Sequence, residues 1–225
     1  MKLLITLILN IIFIQPMIID KRHLGYIDDI VEHALEDQIF PGAALLVGQA
    51  NRVLLRNGYG FYTYDDNSIP VSVEGTMFDL ASLSKVVGTT MATMLLLQKR
   101  KLALDDSASQ YIELFAGERK EAVTIKDLLV HMSGLKPDED PNVIEVGPQE
   151  NNSEALIRHI SQLPLCYQPR TKVVYSCLNF YLLAHINELI SQERQEDFLK
   201  RNVFEPLGMH SAYRLTDEQK KLCAP

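Results

Sequence analysis

Phe78-Asp79-Leu80-Ala81-Ser82-Leu83-Ser84-Lys85 carries the chain from a loop of mixed polarity into a long apolar run, and the reading of the fold turns on it. If Ser82 opens a helix, its hydroxyl sits at the positive end of the helix dipole and Lys85 follows one turn later on the same face. Serine is a weak nucleophile at neutral pH and needs an adjacent base. A desolvated lysine with a lowered pKa is one of the few side chains that can serve. On these eight residues alone, an N-cap serine followed by an ordinary surface lysine fits equally well. The same spacing recurs at Ser133 and Lys136, but there Gly134 reads as a helix C-cap and Pro137 follows, so that pair is not expected to share a helical face.

After Ser82, the residues Leu83, Val86, Val87, Thr90, Met91, Met94 and Leu95 recur at helical spacing, which predicts a helix buried on most sides with the polar pair at the rim of a core. Upstream, Leu24, Ile27, Ile30, Val31, Ala34 and Leu35 form an amphipathic stripe expected to lie on a sheet. Residues 43–48 and 53–56, turning through 49–52 and closing at Asn57-Gly58, read as a β-hairpin. Downstream, Thr124 reads as an N-cap with Asp127 at the third helical position, and Ser153 as the cap of a helix that Pro164 ends. Between them, residues 137–152 lack periodicity, hold the run Asp138-Glu139-Asp140, and are expected to form a mobile surface loop. Leu178, Tyr181, Leu182, His185, Ile186, Leu189 and Ile190 share a face of a further apolar helix, and residues 193–204 read as another.

The 225 residues are 47% apolar and carry a net charge of -7 with no basic cluster, which argues against an electrostatic grip on nucleic acid. Residues 1–19, with Lys2 ahead of an apolar run that Gln15-Pro16 interrupts, read as a signal peptide, with a membrane anchor as the alternative. Cys166, Cys177 and Cys223 allow at most one disulfide and match no zinc spacing. The six histidines are scattered, His33 and His159 read as solvated or structural, and no metal or cofactor is expected.

Taken in order, four segments resemble motifs of the serine β-lactamase-like superfamily, on the branch of class C β-lactamases, D-alanyl-D-alanine carboxypeptidases and related esterases. Residues 78–86 resemble its FxxASxxK segment, Leu128-Leu129-Val130-His131-Met132-Ser133-Gly134-Leu135 its LLxHxSGL signature, Tyr175-Ser176 its YxN motif and Pro206-Leu207-Gly208-Met209 its PLGM. The resemblance implies an α+β, β-lactamase/transpeptidase-like fold, with an antiparallel sheet flanked by helices and a helical lobe. It implies a serine hydrolase acting through an acyl-enzyme on an amide or ester, a small molecule or a peptide, with no cofactor and in a secreted or periplasmic setting. Ser82 would be the nucleophile and the Ser82 N–H one oxyanion donor. Lys85 would take the proton, directly or with Tyr175, whose phenol needs a nearby cation to act as a base. His131 would brace the lobe.

Two departures from the pattern bear on activity. Cys177 stands where the family has a substrate-binding asparagine, and Asn179, two residues on, falls on another helix face. The third family motif would lie beyond Leu215, so residues 20–225 are expected to be a domain lacking its C-terminal sheet strands. Two other readings follow: a non-catalytic binding or scaffold remnant of such an enzyme, and a membrane-anchored interaction protein.

Overall fold

In a computed structural model the described residues are 21–49, 52–117, 119–209 and 215–224. The proposed leader or anchor at residues 1–19 lies outside them. The chain divides into two compact units, residues 1–79 with 215–225, and residues 80–214.

In the first unit, helix α1 (Lys21–Glu36) is followed by strands β1 (Gly42–Gln49) and β2 (Arg52–Gly60), paired antiparallel from Gly42 opposite Gly60 to Gln49 opposite Arg52. The hairpin is the expected one, but β2 runs past Asn57-Gly58 to Gly60. The expected helical stripe is half-buried at Leu24, Ile27, Val31, Ala34 and Leu35, and the Tyr59 hydroxyl on β2 donates to the Asp28 carboxylate on α1. Ile30 departs from expectation and is 68% exposed. At about 100° per residue it lies a quarter-turn round from the centre of the stripe. Near the end of the described chain, α7 (Asp217–Lys220) leads into a segment that pairs with Met77, whose N–H donates to Leu222 O (2.8 Å) while Ala224 N–H donates to Met77 O (2.9 Å).

The second unit is helical. A short 3₁₀ turn (Ala81–Leu83) leads into a π-helical segment (Lys85–Thr90) and then α2 (Met91–Gln98). These are followed by α3 (Ile125–Leu129), α4 (Asn152–Gln162), α5 (Cys177–Ser191) and α6 (Gln195–Leu199), and a second π-helical segment (Lys200–Phe204) continues α6. α5 is the central post: Leu178, Leu182, Leu183 and Ile186 are wholly buried among Leu96, Leu128, Ile157, Ile160 and Leu199. Each such side chain contributes about 1.5–3 kcal/mol by leaving water. Tyr181 and Leu189, expected on the buried face of this helix, are instead exposed.

The helix after Ser82 also departs from its expected face. Thr89, Ala92, Thr93 and Leu96 are buried, whereas Leu83, Val86 and Met94 are more than half exposed. Apolar periodicity points to the wrong side because two inward positions are threonines: Gly88, Thr89, Ala92, Thr93 and Leu96 form one inward stripe at about 100° per residue. Its polar groups are satisfied internally. Thr89 O accepts from Thr93 Oγ1 (2.9 Å) and from Asn187 Nδ2 (3.2 Å), and Gln195 Nε2 donates to Thr89 Oγ1 (3.2 Å).

Thr124 and Asp127 form the reciprocal capping box that their spacing suggests. The cap of α4 is Asn151, not Ser153, since the pair Asn151 and Glu154 offers the same reciprocal bonds two residues earlier. Gly134 is not a helix C-cap, because α3 ends at Leu129 with Val130 as its cap. It sits at φ 94°, where a Cβ would come within 2.4 Å of Tyr167 O. The loop at 137–151 is anchored to α4. Glu139 pairs with Lys136 (2.6 Å) and with His159 (2.8 Å), and Arg158 grips Glu150 (2.9 Å) and Glu145 O (2.6 Å). His159 thus has a partner that its sequence neighbours do not reveal. None of the three cysteines is in a disulfide.

Candidate active site

The site is assembled from three pieces of the second unit. The first is the 3₁₀ turn. Ala81 adopts φ 42°, and Ser84 closes the turn by donating both its N–H and its hydroxyl (2.5 Å) to Ala81 O. In a 3₁₀ turn, side chains three apart eclipse, which brings Ser82 and Lys85 together more directly than a helix opening on Ser82 would. Lys85 Nζ donates to Ser82 Oγ at 3.2 Å.

The second piece is the loop after α3, residues 131–137, and the third is the extended stretch 170–176 laid along it. Arg170 N–H donates to Met132 O (2.8 Å), Val174 N–H to His131 O (2.9 Å) and Cys177 N–H to Pro137 O (2.7 Å). Ser176, fully buried, donates its hydroxyl to Lys136 O (2.7 Å), so its side chain ties the stretch to the loop instead of capping α5. This rail delivers Tyr175, whose hydroxyl donates to Ser82 Oγ at 2.7 Å, with Lys85 Nζ 5.1 Å from the centre of the Tyr175 ring. Residues 93 apart in sequence therefore meet on one oxygen.

Burial alone pulls the Lys85 ammonium down. Its hydrogen bond to Tyr175, together with the charge of Cys177 and Tyr175 and a bond to the Cys177 thiol, outweighs burial and leaves the pKa above its ordinary value. The expectation of a lowered lysine pKa is thereby corrected. The low member is Tyr175, whose phenol is pulled below its usual value by the hydrogen bond from Lys85, then by that with Ser82. Cys177, half-buried at the first position of α5, lies within hydrogen-bonding reach of Lys85.

Ser133 and Lys136 part company. Ser133 is buried and donates to Asn179 Oδ1 (2.6 Å), while Lys136 pairs with Glu139. Asn179 is wholly buried against Ser133. The role of the 131–137 loop as the seat of Tyr175 was hidden in the sequence, where only the motif residues His131, Ser133 and Gly134 marked it. Among the described residues, no group of three or more His, Cys, Asp or Glu is gathered to hold a metal ion, and no helix is long and apolar enough to cross a membrane.

Comparison with known proteins gives the arrangement its context. A provisionally named D-alanyl-D-alanine carboxypeptidase of Escherichia coli O157:H7 is 31% identical over 186 residues, covering 77% of this chain and 43% of that protein. One of the same name from Salmonella gallinarum is 29% identical over 203 residues, covering 84% and 47%. The chain thus spans about half the length of the curated relatives it matches. Among solved structures, a penicillin-binding protein homologue from Caulobacter crescentus superposes with a TM-score of 0.76 at 22% identity, over 89% of this chain and 53% of the other. A class C β-lactamase mutant does so with a TM-score of 0.72 at 24% identity, over 88% and 52%. These likenesses establish a β-lactamase/transpeptidase-like fold. With the beta-lactamase family model matching residues 27–221, the chain belongs to the beta-lactamase family.

Proposed function

We propose that the chain carries the acyl-transfer centre of a serine hydrolase that acts on an amide or ester. The observation that carries this reading is the pair of hydrogen bonds converging on Ser82 Oγ, from Tyr175 at 2.7 Å and Lys85 at 3.2 Å. In the reactive state the Tyr175 phenol has given up its proton, so the bond to Ser82 reverses, and Ser82 attacks the acyl carbon as the Tyr175 phenolate takes its proton. Lys85 remains an ammonium that stabilises the phenolate, in keeping with the opposite directions of their pKa values. The acyl group becomes an ester on Ser82, and the amine or alcohol departs with a proton returned through the same pair. Water then releases the acid. The Ser82 N–H serves as one oxyanion donor.

Relatives named as carboxypeptidases, together with the fold shared with β-lactamases, favour a peptide, a β-lactam or a small ester as substrate. Residues 1–19 act as an export leader in this account, placing the site in the periplasm or outside the cell.

A second reading is a remnant that binds without turnover. Cys177 favours it, since a thiol is a weak donor and acceptor where the family has an amide. Labelling with a fluorescent penicillin and turnover of a chromogenic ester, each run with Ser82→Ala alongside, separate the readings. A hydrolase gives signal in the parent only, a binder gives labelling without turnover, and equal signal from both proteins removes Ser82 from the mechanism.

A further inference from the structure

The main chain on both sides of Tyr175 is bonded to one residue. Val174 N–H donates to His131 O (2.9 Å) and Ser176 N–H donates to His131 Nδ1 (3.1 Å), while the His131 and Tyr175 rings lie 4.6 Å apart at 34°. We propose that His131 is a positioning residue that fixes the Tyr175 phenol over Ser82 by gripping its two neighbours and its ring together. This deepens the reading of Tyr175 as base and rests on it.

The geometry dictates the chemical state of the ring. A nitrogen that accepts from a backbone N–H carries no proton, so Nδ1 is bare and the tautomer is Nε2–H. Asn179 Nδ2, 3.5 Å from the same Nδ1, adds a donor and excludes a proton there. The residue holds φ 58°, a left-handed conformation that histidine and asparagine adopt more readily than most side chains. Around the ring, the π-helical segment presents Lys85 and the extended stretch presents the Tyr175 phenol, while α5 presents Asn179 and Phe180, which do not titrate. Burial and the Lys85 charge both hold the imidazole below its ordinary pKa, so the grip is intact at neutral pH and is released in acid. Protonation of Nδ1 would turn its lone pair into a donor facing the Ser176 N–H.

The test uses the full chain with His131→Asn and His131→Phe, each alone and with Tyr175→Phe, and follows single-turnover acylation by a chromogenic ester against pH. An asparagine carbonyl can take the place of Nδ1, so His131→Asn should keep most of the rate and lose the extra steepness that imidazole protonation adds in acid to the one-proton fall set by Tyr175. His131→Phe keeps a ring but no acceptor, and should lower the acylation rate about 10- to 100-fold with KM nearly unchanged. In the Tyr175→Phe background it should do nothing further. An undiminished rate in His131→Phe, or an equal loss with and without Tyr175, overturns the proposal. If His131→Phe does not fold, an acid limb as steep in His131→Asn as in the parent is the contradicting result, since protonation of Tyr175 alone leaves the shallower, one-proton fall. Nitrogen NMR of the unmodified ring reads the tautomer without turnover, and a proton on Nδ1 refutes the grip even in an active enzyme. Conversely, Tyr175→Phe at full rate refutes Tyr175 as base while leaving the Nε2–H tautomer in place, so the two failures are distinct.

Discussion

Lys85 and Tyr175 perturb one another in opposite directions: the ammonium, 5.1 Å from the phenol ring centre, is held above its ordinary pKa and the phenol below its own. The couple therefore stores its proton on nitrogen and leaves oxygen as the better acceptor. Replacing Lys85 removes the first cause of the tyrosine shift, so in Lys85→Met the Tyr175 pKa should rise toward about 10. The phenolate fraction at neutral pH then falls, acylation slows by about 10²–10⁴-fold, and the rate recovers only at higher pH. Carbon NMR of labelled tyrosine, assigned with Tyr175→Phe, together with the pH–rate profile, reads both effects. An unshifted Tyr175 in Lys85→Met contradicts the coupling.

Cys177 sits within reach of Lys85, at the position to which the motif resemblance assigns a substrate-binding asparagine. Cys177→Asn supplies two donors and a strong acceptor in place of a thiol. One recovered hydrogen bond to substrate is worth about 1 kcal/mol, so kcat/KM for an amide substrate should rise about five- to ten-fold. Steady-state kinetics with a short peptide amide check this, and an unchanged or lower value would mean that residue 177 does not face the substrate.

Gly134 holds φ 94° beneath the segment that carries Tyr167, and a Cβ there would lie 2.4 Å from Tyr167 O. Gly134→Ala combines left-handed strain with that overlap and should cost more than about 2 kcal/mol of stability. Denaturant unfolding against the parent measures it. A loss within a few tenths of a kcal/mol would mean that the 131–137 loop yields easily, and the seat proposed for Tyr175 with it.

Glu139 is held at a pKa of about 2 by its bonds to Lys136 and His159. A depressed carboxyl stabilises the fold above its unfolded pKa and loses that contribution as pH falls through the folded value. The tether should therefore weaken between about pH 4.5 and about pH 2. Amide exchange in residues 137–151 should accelerate across that window in the parent and be fast throughout in Glu139→Gln. Equal protection in both proteins at neutral pH would detach Glu139 from the anchoring of this loop.

How far the sequence revealed all this depends on whether the signal was local. The hairpin and the Thr124 cap follow from alternation and capping chemistry, which neighbouring residues set by themselves. The buried face after Ser82 escapes apolar periodicity because Thr89 and Thr93 form part of it. The partners of His159 and the seat of Tyr175 escaped because they depend on segments that meet only in the folded unit, His159 with Glu139 and Tyr175 with His131. The meeting of Ser82, Lys85 and Tyr175 was anticipated through motif order, whereas the direction of the lysine shift was not. Burial by itself favours a low Lys85 pKa, and the bonds to Tyr175 and Cys177 outweigh it.

Intact-protein mass spectrometry after brief exposure to an activated ester, with peptide mapping, tests the central claim most directly. The account predicts one acyl adduct on Ser82, absent from Ser82→Ala and formed far more slowly in Tyr175→Phe. An adduct on Cys177 in place of Ser82, or one that forms at the same rate without the Tyr175 hydroxyl, would contradict it.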